Sequence, residues 1–328
     1  MAWIENKRVV ITGATSGIGE EVALRLASLG AHVVLACRDR PRGEQVAAQV
    51  QAKAGARPAV MTVDTSDQRS IRAFVSDYRH TYASLDVLVN NAGVLLPTRT
   101  TSADDVELTF ATNVLGYYLA TAELLEALKA GRPSRVVNVA STFAGDLDLD
   151  DLQFEHRPYD GMSAYAQSKA CDRMLTWAFA RRLLGDSVTV NAIAPGLVLD
   201  TSLYRHLPPG ARRDLERYGS RSVSEGADTV VWLASSPELD GVTGRFFEQR
   251  AEIPCQFRDE DAEERLWQTC ELLVRQLEPQ CQRGATAKQP TREPDEHEED
   301  PWVTRNLPRT ESCSSPRVRG GPASWRAV

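Results

Sequence analysis

The 328-residue chain has 42% hydrophobic and 25% charged residues, the balance of an ordinary soluble protein, with length for one large α/β domain or two smaller ones. A formal net charge of -7 argues against a general affinity for nucleic acid. Six scattered cysteines (Cys37, Cys171, Cys255, Cys270, Cys281, Cys313) without a Cys-x-x-Cys pair suit reduced thiols in a cytoplasmic setting, and five histidines (His32, His80, His156, His206, His297) show no metal-ligand spacing.

The N-terminal "MAWIENKRVVITG" runs straight into a strand, with no apolar run long enough for a leader, so no integral membrane segment is expected. That strand, "RVVIT", ends in "TGATSGIG", Thr12 to Gly19, where the helix "GEEVALRLASLG" begins. Gly13 permits a tight turn, Gly17 lets backbone approach a phosphate, and Gly19 lets helix and strand pack closely. The helix N-terminus then offers free N–H groups and a positive dipole end to a pyrophosphate.

The second strand, "AHVVLAC", leads into "RDR". A nucleotide-binding βαβ unit carries an acid at this point for the ribose hydroxyls, but here Cys37 stands in that place and Arg38 follows. A guanidinium holds a phosphate through paired charge-assisted hydrogen bonds, which favours NADP over NAD. The alternative reading pairs Arg38 with Asp39 or Glu44 at the surface. Further on come the helix "GEQVAAQVQAKAG", the strand "PAVMTV" ending at Asp64, the helix "QRSIRAFVSDYRHTY", and the strand "LDVLVN" running into "NNAG", Asn90 to Gly93.

Asn113 follows on a helical stretch, and the fifth strand, "SRVVNVAS", ends at Ser141. The long helix "MSAYAQSKACDRMLTWAFARRLL" places Tyr165 and Lys169, four residues apart, on one face. The sixth strand, "VTVNAIAP", meets Pro195 and Gly196, and the polar stretch from Leu199 to Ser222 has the composition of a mobile lid. A last helix is expected in "DEDAEERLWQTCELLVRQL". Alternating buried strands and amphipathic helices predict a single Rossmann-type doubly wound parallel sheet of about seven strands over residues 1–280. Residues 281–328, rich in proline and charge, are expected to form a disordered tail that is either a solvated extension or a partner-binding segment.

Six motifs in this order, Thr-Gly-x-x-x-Gly-Ile-Gly at residues 12–19, "NNAG", Asn113, Ser141, the Tyr165 and Lys169 pair, and Pro195-Gly196, resemble the short-chain dehydrogenase/reductase family. The resemblance implies that Gly13, Ser16, Gly17, Ile18 and Gly19 hold the cofactor phosphates, that Asp64 meets the adenine, and that Asn91, Ala92 and Gly93 line its path. Pro195 and Gly196 correspond to the turn over the nicotinamide. The family's carboxamide-binding threonine falls on Asp200, so Thr201, next to it, takes that role. Tyr165 is implied as general acid/base, Ser141 as the group holding the substrate oxygen, and Asn113 as the anchor of a water relay from Lys169. A free phenol has a pKa of about 10, and the Lys169 ammonium together with a cationic nicotinamide is expected to lower it.

The segment "TFAGDLDLDDLQFEHRPYDGM" before Tyr165 and the ending "GRFFEQ" point to the retinol-dehydrogenase-like branch, whose members act on hydrophobic alcohols, aldehydes and ketones. The chain departs from that branch in reading "NAIAPG" where a histidine commonly precedes Pro-Gly. Leu95, Phe143, Leu197, Leu199 and Leu203 are placed to offer apolar surface near the site, or else to pack in the core. Relatives often form a homodimer through the helices carrying Asn113 and Tyr165. The expected function is an NADP-dependent oxidoreductase of a small hydrophobic carbonyl or alcohol substrate. The alternative is an NADP-binding regulatory or scaffold protein that signals through its tail.

Overall fold

Strand and helix alternate in chain order in the computed structural model, which describes residues 3–205 and 209–275. The boundary at residue 280 and the tail lie outside the described residues. The first half runs β1 (Arg8–Thr12), α1 (Gly17–Ser28), β2 (His32–Cys37), α2 (Arg40–Ala54), β3 (Ala59–Thr62), α3 (Gln68–Thr81) and β4 (Val87–Asn90). Next, α4 (Leu108–Phe110) passes through a π-helical turn, Ala111–Leu115, into α5 (Gly116–Glu123), followed by α6 (Leu125–Ala130) and β5 (Ser134–Val139). The remainder is α7 (Gly161–Arg182), β6 (Val188–Ile193), a 3-10 turn at Ser202–Tyr204, α8 (Pro209–Glu216), α9 (Val223–Ser235), β7 (Phe246–Glu248), β8 (Ala251–Glu252) and α10 (Glu260–Arg275).

The strands form one sheet in the order β3-β2-β1-β4-β5-β6-β7-β8, parallel except for the last pair. The sheet therefore has eight strands against the seven or so expected. The extra one, β8, is a two-residue antiparallel return, too short to carry a periodic pattern. All residues of β4 and β5 are buried, as strands covered on both faces must be. One face packs Phe74, Leu119 and Met174 of α3, α5 and α7, and the other packs Val22, Val46 and Val230 of α1, α2 and α9. Strand order reverses between β1 and β4, which opens a crevice at the carboxyl ends of the strands.

The helix start at that crevice differs from those of α2, α3, α7 and α9. Asp39, Asp67, Asp160 and Ser222 cap α2, α3, α7 and α9 with side-chain hydrogen bonds, each satisfying amides that the helix leaves free. Ser16, at the start of α1, makes no such bond.

The last helix closes the side of the domain at α5 and α7. Leu266 and Cys270 of α10 are fully buried, and Trp267 sets its ring edge-on to Tyr118 of α5 and Phe179 of α7, with centroids at 4.9 and 4.7 Å. Glu263 pairs with Arg181 of α7, and from α3 Gln68 and Arg72 donate to the Leu273 and Val274 carbonyls, each at 3.2 Å. The two helices to which the resemblance gives a second copy are thus covered here by the chain's own α10. Among the described residues no helix is long and apolar enough to cross a membrane, and no cluster of His, Cys, Asp or Glu could hold a metal ion.

Candidate active site

A cleft of about 480 Å³ runs from the start of α1 to the N-terminal half of α7. Its floor is the junction of β1 with the turn after β4. Thr12 Oγ1 accepts hydrogen bonds from the backbone N–H groups of Asn91 (2.9 Å) and Ala92 (3.1 Å), and Asn91 Nδ2 donates to the Thr12 and Gly13 carbonyls at 2.9 and 3.2 Å. Two glycines make this close approach feasible. Gly13 sits at φ +65°, and a Cβ on it would lie 2.8 Å from Ala92 Cα; a Cβ on Gly19 would lie 2.5 Å from the Gly13 carbonyl oxygen.

Of the expected cofactor residues, Gly13, Ser16, Ile18, Gly19, Arg38, Asp64, Asn91, Ala92, Gly93, Pro195 and Thr201 line the cleft, as do Tyr165 and Lys169. Gly17, Gly196, Asn113 and Ser141 are not among the lining residues, although Ser141 hydrogen-bonds Tyr165. Gly17 lies under the Thr201 side chain, and Ser16 Oγ is 3.2 Å from Ser202 Oγ, so residues 201 and 202 fold over the glycine turn. Gly196 lies beneath the Arg221 guanidinium, which pairs with Glu248 at 2.9 Å. Of the expected lid, Ser202–Tyr204 and α8 are described, while residues 206–208 lie outside the described residues.

At the end nearest β2 Arg38 lines the mouth of the cleft and forms no ion pair with Asp39 or Glu44. Its nearest acid is Asp64, at 3.5 Å, while Glu44 pairs with Arg40 and Arg57. The other Asp64 oxygen accepts from Ser66 Oγ at 2.6 Å and Ser66 N at 3.0 Å. Arg42, which the sequence reading did not single out, lines the same mouth and donates to the Thr15 carbonyl at 3.2 Å. Burial, with the Asp39 charge behind it, pushes the Cys37 thiol up to about 11, so it stays protonated and inert at neutral pH.

At the other end Tyr165 is buried with its ring facing Phe143, centroids 6.4 Å apart and planes 19° from parallel. Ser141 Oγ accepts from Phe143 N at 3.0 Å, and the Ser141 carbonyl accepts from Arg173 of α7. Arg173 also stacks on Phe246, 4.1 Å from its centroid. Asn113 sits in the π-helical turn and is completely buried; its Nδ2 donates to the Val94 carbonyl (3.0 Å) and Ser168 Oγ (2.9 Å), and its Oδ1 accepts from Val94 N (2.8 Å). Leu95 and Leu199 are core residues, Leu203 lines the cleft, and Phe143 is half exposed at its edge.

One electrostatic expectation is corrected. Lys169 Nζ donates to the Val139 carbonyl at 2.9 Å and to Asp172 Oδ2 at 2.8 Å, so its charge is already matched. Burial, followed by the Asp172 charge, raises the Tyr165 pKa, and only a hydrogen bond with Ser141 acts the other way. Among the chain's own groups, then, Lys169 does not make Tyr165 a phenolate. Asp172 was legible as a charge three residues past Lys169 on an apolar helix, but its burial was not.

The residues fit a dinucleotide. The α1 N-terminus carries no side-chain cap, and the crowded glycine turn brings backbone to the cleft floor. A family model described as short chain dehydrogenase matches residues 7–210, and the chain belongs to the short-chain dehydrogenase/reductase family of oxidoreductases. It is 38% identical to retinol dehydrogenase 14 of Homo sapiens over 83% of this chain and 87% of that protein. It is 40% identical to polyprenol dehydrogenase of Mus musculus over 79% of this chain and 81% of that one. Within the family this is the retinol-dehydrogenase-like branch. A short chain dehydrogenase from Burkholderia cenocepacia J2315, solved in complex with NADP, superposes with a TM-score of 0.61 at 29% identity, covering 75% of this chain and 96% of that one.

Proposed function

We propose that the protein transfers a hydride between NADP(H) and a small hydrophobic carbonyl or alcohol substrate, with Tyr165 moving the proton at oxygen. The observation that carries this reading is the meeting of Tyr165, Lys169 and the Ser141 loop at the end of one cleft whose other end is the uncapped start of α1. The cofactor, when bound, supplies or accepts the hydride at the substrate carbon. Tyr165 Oη donates a proton to the carbonyl oxygen in reduction and accepts one from the hydroxyl in oxidation. The Ser141 hydroxyl holds the same oxygen and stabilises charge developing on it. Lys169 uses its remaining N–H toward the nicotinamide ribose. Asn113, its side chain fixed by Val94 and Ser168, anchors a water relay from Lys169.

NADP is favoured over NAD because the acid expected at the end of β2 is absent and two guanidinium groups, Arg38 and Arg42, line that mouth. Phe143 and Leu203 offer apolar surface at the reacting end, and relatives named for retinol and polyprenol support a hydrophobic substrate class. The free thiols of Cys37, Cys171, Cys255 and Cys270 are in keeping with a cytoplasmic setting. A regulatory binder without turnover is not favoured, since it has no physical need for Tyr165 and Lys169 together.

The test follows NADPH absorbance across a panel of aliphatic and isoprenoid aldehydes and ketones. Turnover is expected in the wild type and falls by at least about 100-fold in Tyr165→Phe, with NADPH binding retained. Turnover that survives in Tyr165→Phe, or is absent from the wild type across the panel, ends this reading.

A further inference from the structure

The helix that carries the reacting pair also carries an acid for which hydride transfer has no use. Asp172 lies three residues beyond Lys169 on α7, its side chain fully enclosed. One carboxylate oxygen, Oδ2, accepts from Lys169 Nζ at 2.8 Å, and the other, Oδ1, has no hydrogen-bond partner. Enclosing a carboxylate with half of its acceptors unused is costly, so its attraction to Lys169 must offset much of that cost. In return it fixes the ammonium. With Val139 and Asp172 each taking one N–H, a single proton of three is left to point elsewhere.

The groups facing Asp172 come from three helices: Lys169, Tyr165, Cys171 and Arg173 of α7 itself, Tyr117 of α5 and Cys270 of α10. Only Lys169 and Arg173 are cationic. Arg173 hydrogen-bonds the Ser141 carbonyl and stacks on Phe246, which leaves Lys169 as the direct partner. Tyr165 therefore faces a neutralised ammonium and, behind it, a negative charge in a dry interior where charges act strongly.

We propose that Asp172 is a positioning residue for the reaction read above: by matching the charge of Lys169 and holding its ammonium at Val139, it keeps Tyr165 in the phenol form and sets the pair as a proton donor for carbonyl reduction. This rests on Tyr165 and Lys169 being the reacting pair. Burial and the Asp172 charge both raise the Tyr165 pKa. Burial lifts Asp172 itself to about 6, against the pull of Lys169, so at neutral pH it carries its charge and below that range it loses it. For Lys169, burial is the largest single influence and works downward, but the charge and hydrogen bond of Asp172 together with Tyr117 outweigh it and the net direction is up.

The test reads Tyr165 directly. In full-length protein with NADP+, tyrosinate absorbance is followed from about pH 7 to 11, and the part that Tyr165→Phe removes is assigned to Tyr165. In Asp172→Asn, which keeps the shape and drops the charge, that signal is expected about one pH unit or more below the wild type. Asp172→Ser serves as a second uncharged variant should Asn fail to fold. Oxidation of 1-decanol with NADP+ is read alongside: kcat/KM at pH 7 is expected to rise about tenfold in the same variants, with no gain in decanal reduction. A Tyr165 signal at the same pH in wild type and variants, or 1-decanol oxidation at pH 7 that does not rise in the variants, overturns the role given to Asp172. Decanal reduction surviving in Tyr165→Phe overturns the catalytic reading instead, and the titration still reports on Asp172.

Discussion

Arg38 extends from the end of β2 with most of its side chain in water, and a 3.5 Å contact with Asp64 in that setting does little to hold it. A cofactor 2′-phosphate offers this guanidinium a far stronger partner. Arg38→Ala is expected to weaken NADPH binding by about 10-fold or more and to leave NADH binding nearly unchanged, as read by fluorescence titration of each. Equal affinities for both cofactors in wild type and variant would mean that Arg38 does not select. Arg38, Tyr165 and Lys169 could be found in the sequence because each stands at a fixed offset from a strand end or from another site residue. Arg42 and Arg173 could not, since their partners, Thr15 in one case and Ser141 and Phe246 in the other, arrive from distant segments. The influence of Lys169 on Tyr165 was overestimated for a related reason: spacing put Lys169 nearby but did not show that Asp172 had already taken up its charge.

Among the elements, the stretch between β5 and α7 has no regular structure and is organised by a few side chains. The Asp151 carboxylate accepts from the backbone N–H groups of Glu155 (2.6 Å), His156 (3.2 Å) and Arg157 (3.1 Å), and Gln167 of α7 accepts from Asp148 N (2.9 Å) and Arg157 (2.7 Å). Burial alone would raise the Asp151 pKa; the three amide hydrogen bonds outweigh it, and the net direction is down. A folded pKa below the unfolded one means that the stabilisation is fully present above the ordinary carboxylate range and is lost as pH falls through the depressed value. In Asp151→Asn, hydrogen exchange at the Glu155, His156 and Arg157 amides at pH 7 is expected to speed up by about tenfold. Unchanged protection there would show that the carboxylate does not hold the turn. This arrangement was invisible to pattern reading because it has no period. The same holds for the π-helical turn, whose register depends on packing such as that of Gly116, where a Cβ would lie 2.4 Å from the Thr65 carbonyl oxygen. The periodic strands and helices, from "RVVIT" to the Tyr165 helix, were legible because burial on two faces or on one stripe leaves its mark in sequence.

For the molecule as a whole, the doubly wound sheet followed from alternation, but the route of α10 back across α5 and α7 did not, since an amphipathic helix does not state which groove it will fill. With Trp267 and Leu266 seated there, a second copy approaching that face meets α10 first. The full-length protein is expected to sediment as a monomer with respect to that face; a dimer cross-linked through α7 residues would contradict this. Leu266→Ala is expected to lower the unfolding free energy by about 2–4 kcal/mol, measured by urea titration. Every residue of α7 from Ala164 to Ala180 is buried within the one chain. A helix walled in on all sides tolerates almost no change of volume, so natural drift or laboratory selection toward a new substrate has little room to act on it. Tyr165 and Lys169 are in effect the fixed datum of the protein, and retargeting must be written into the half-exposed rim, at Phe143 and from Asp200 to Arg205, where a new side chain displaces water rather than its neighbours.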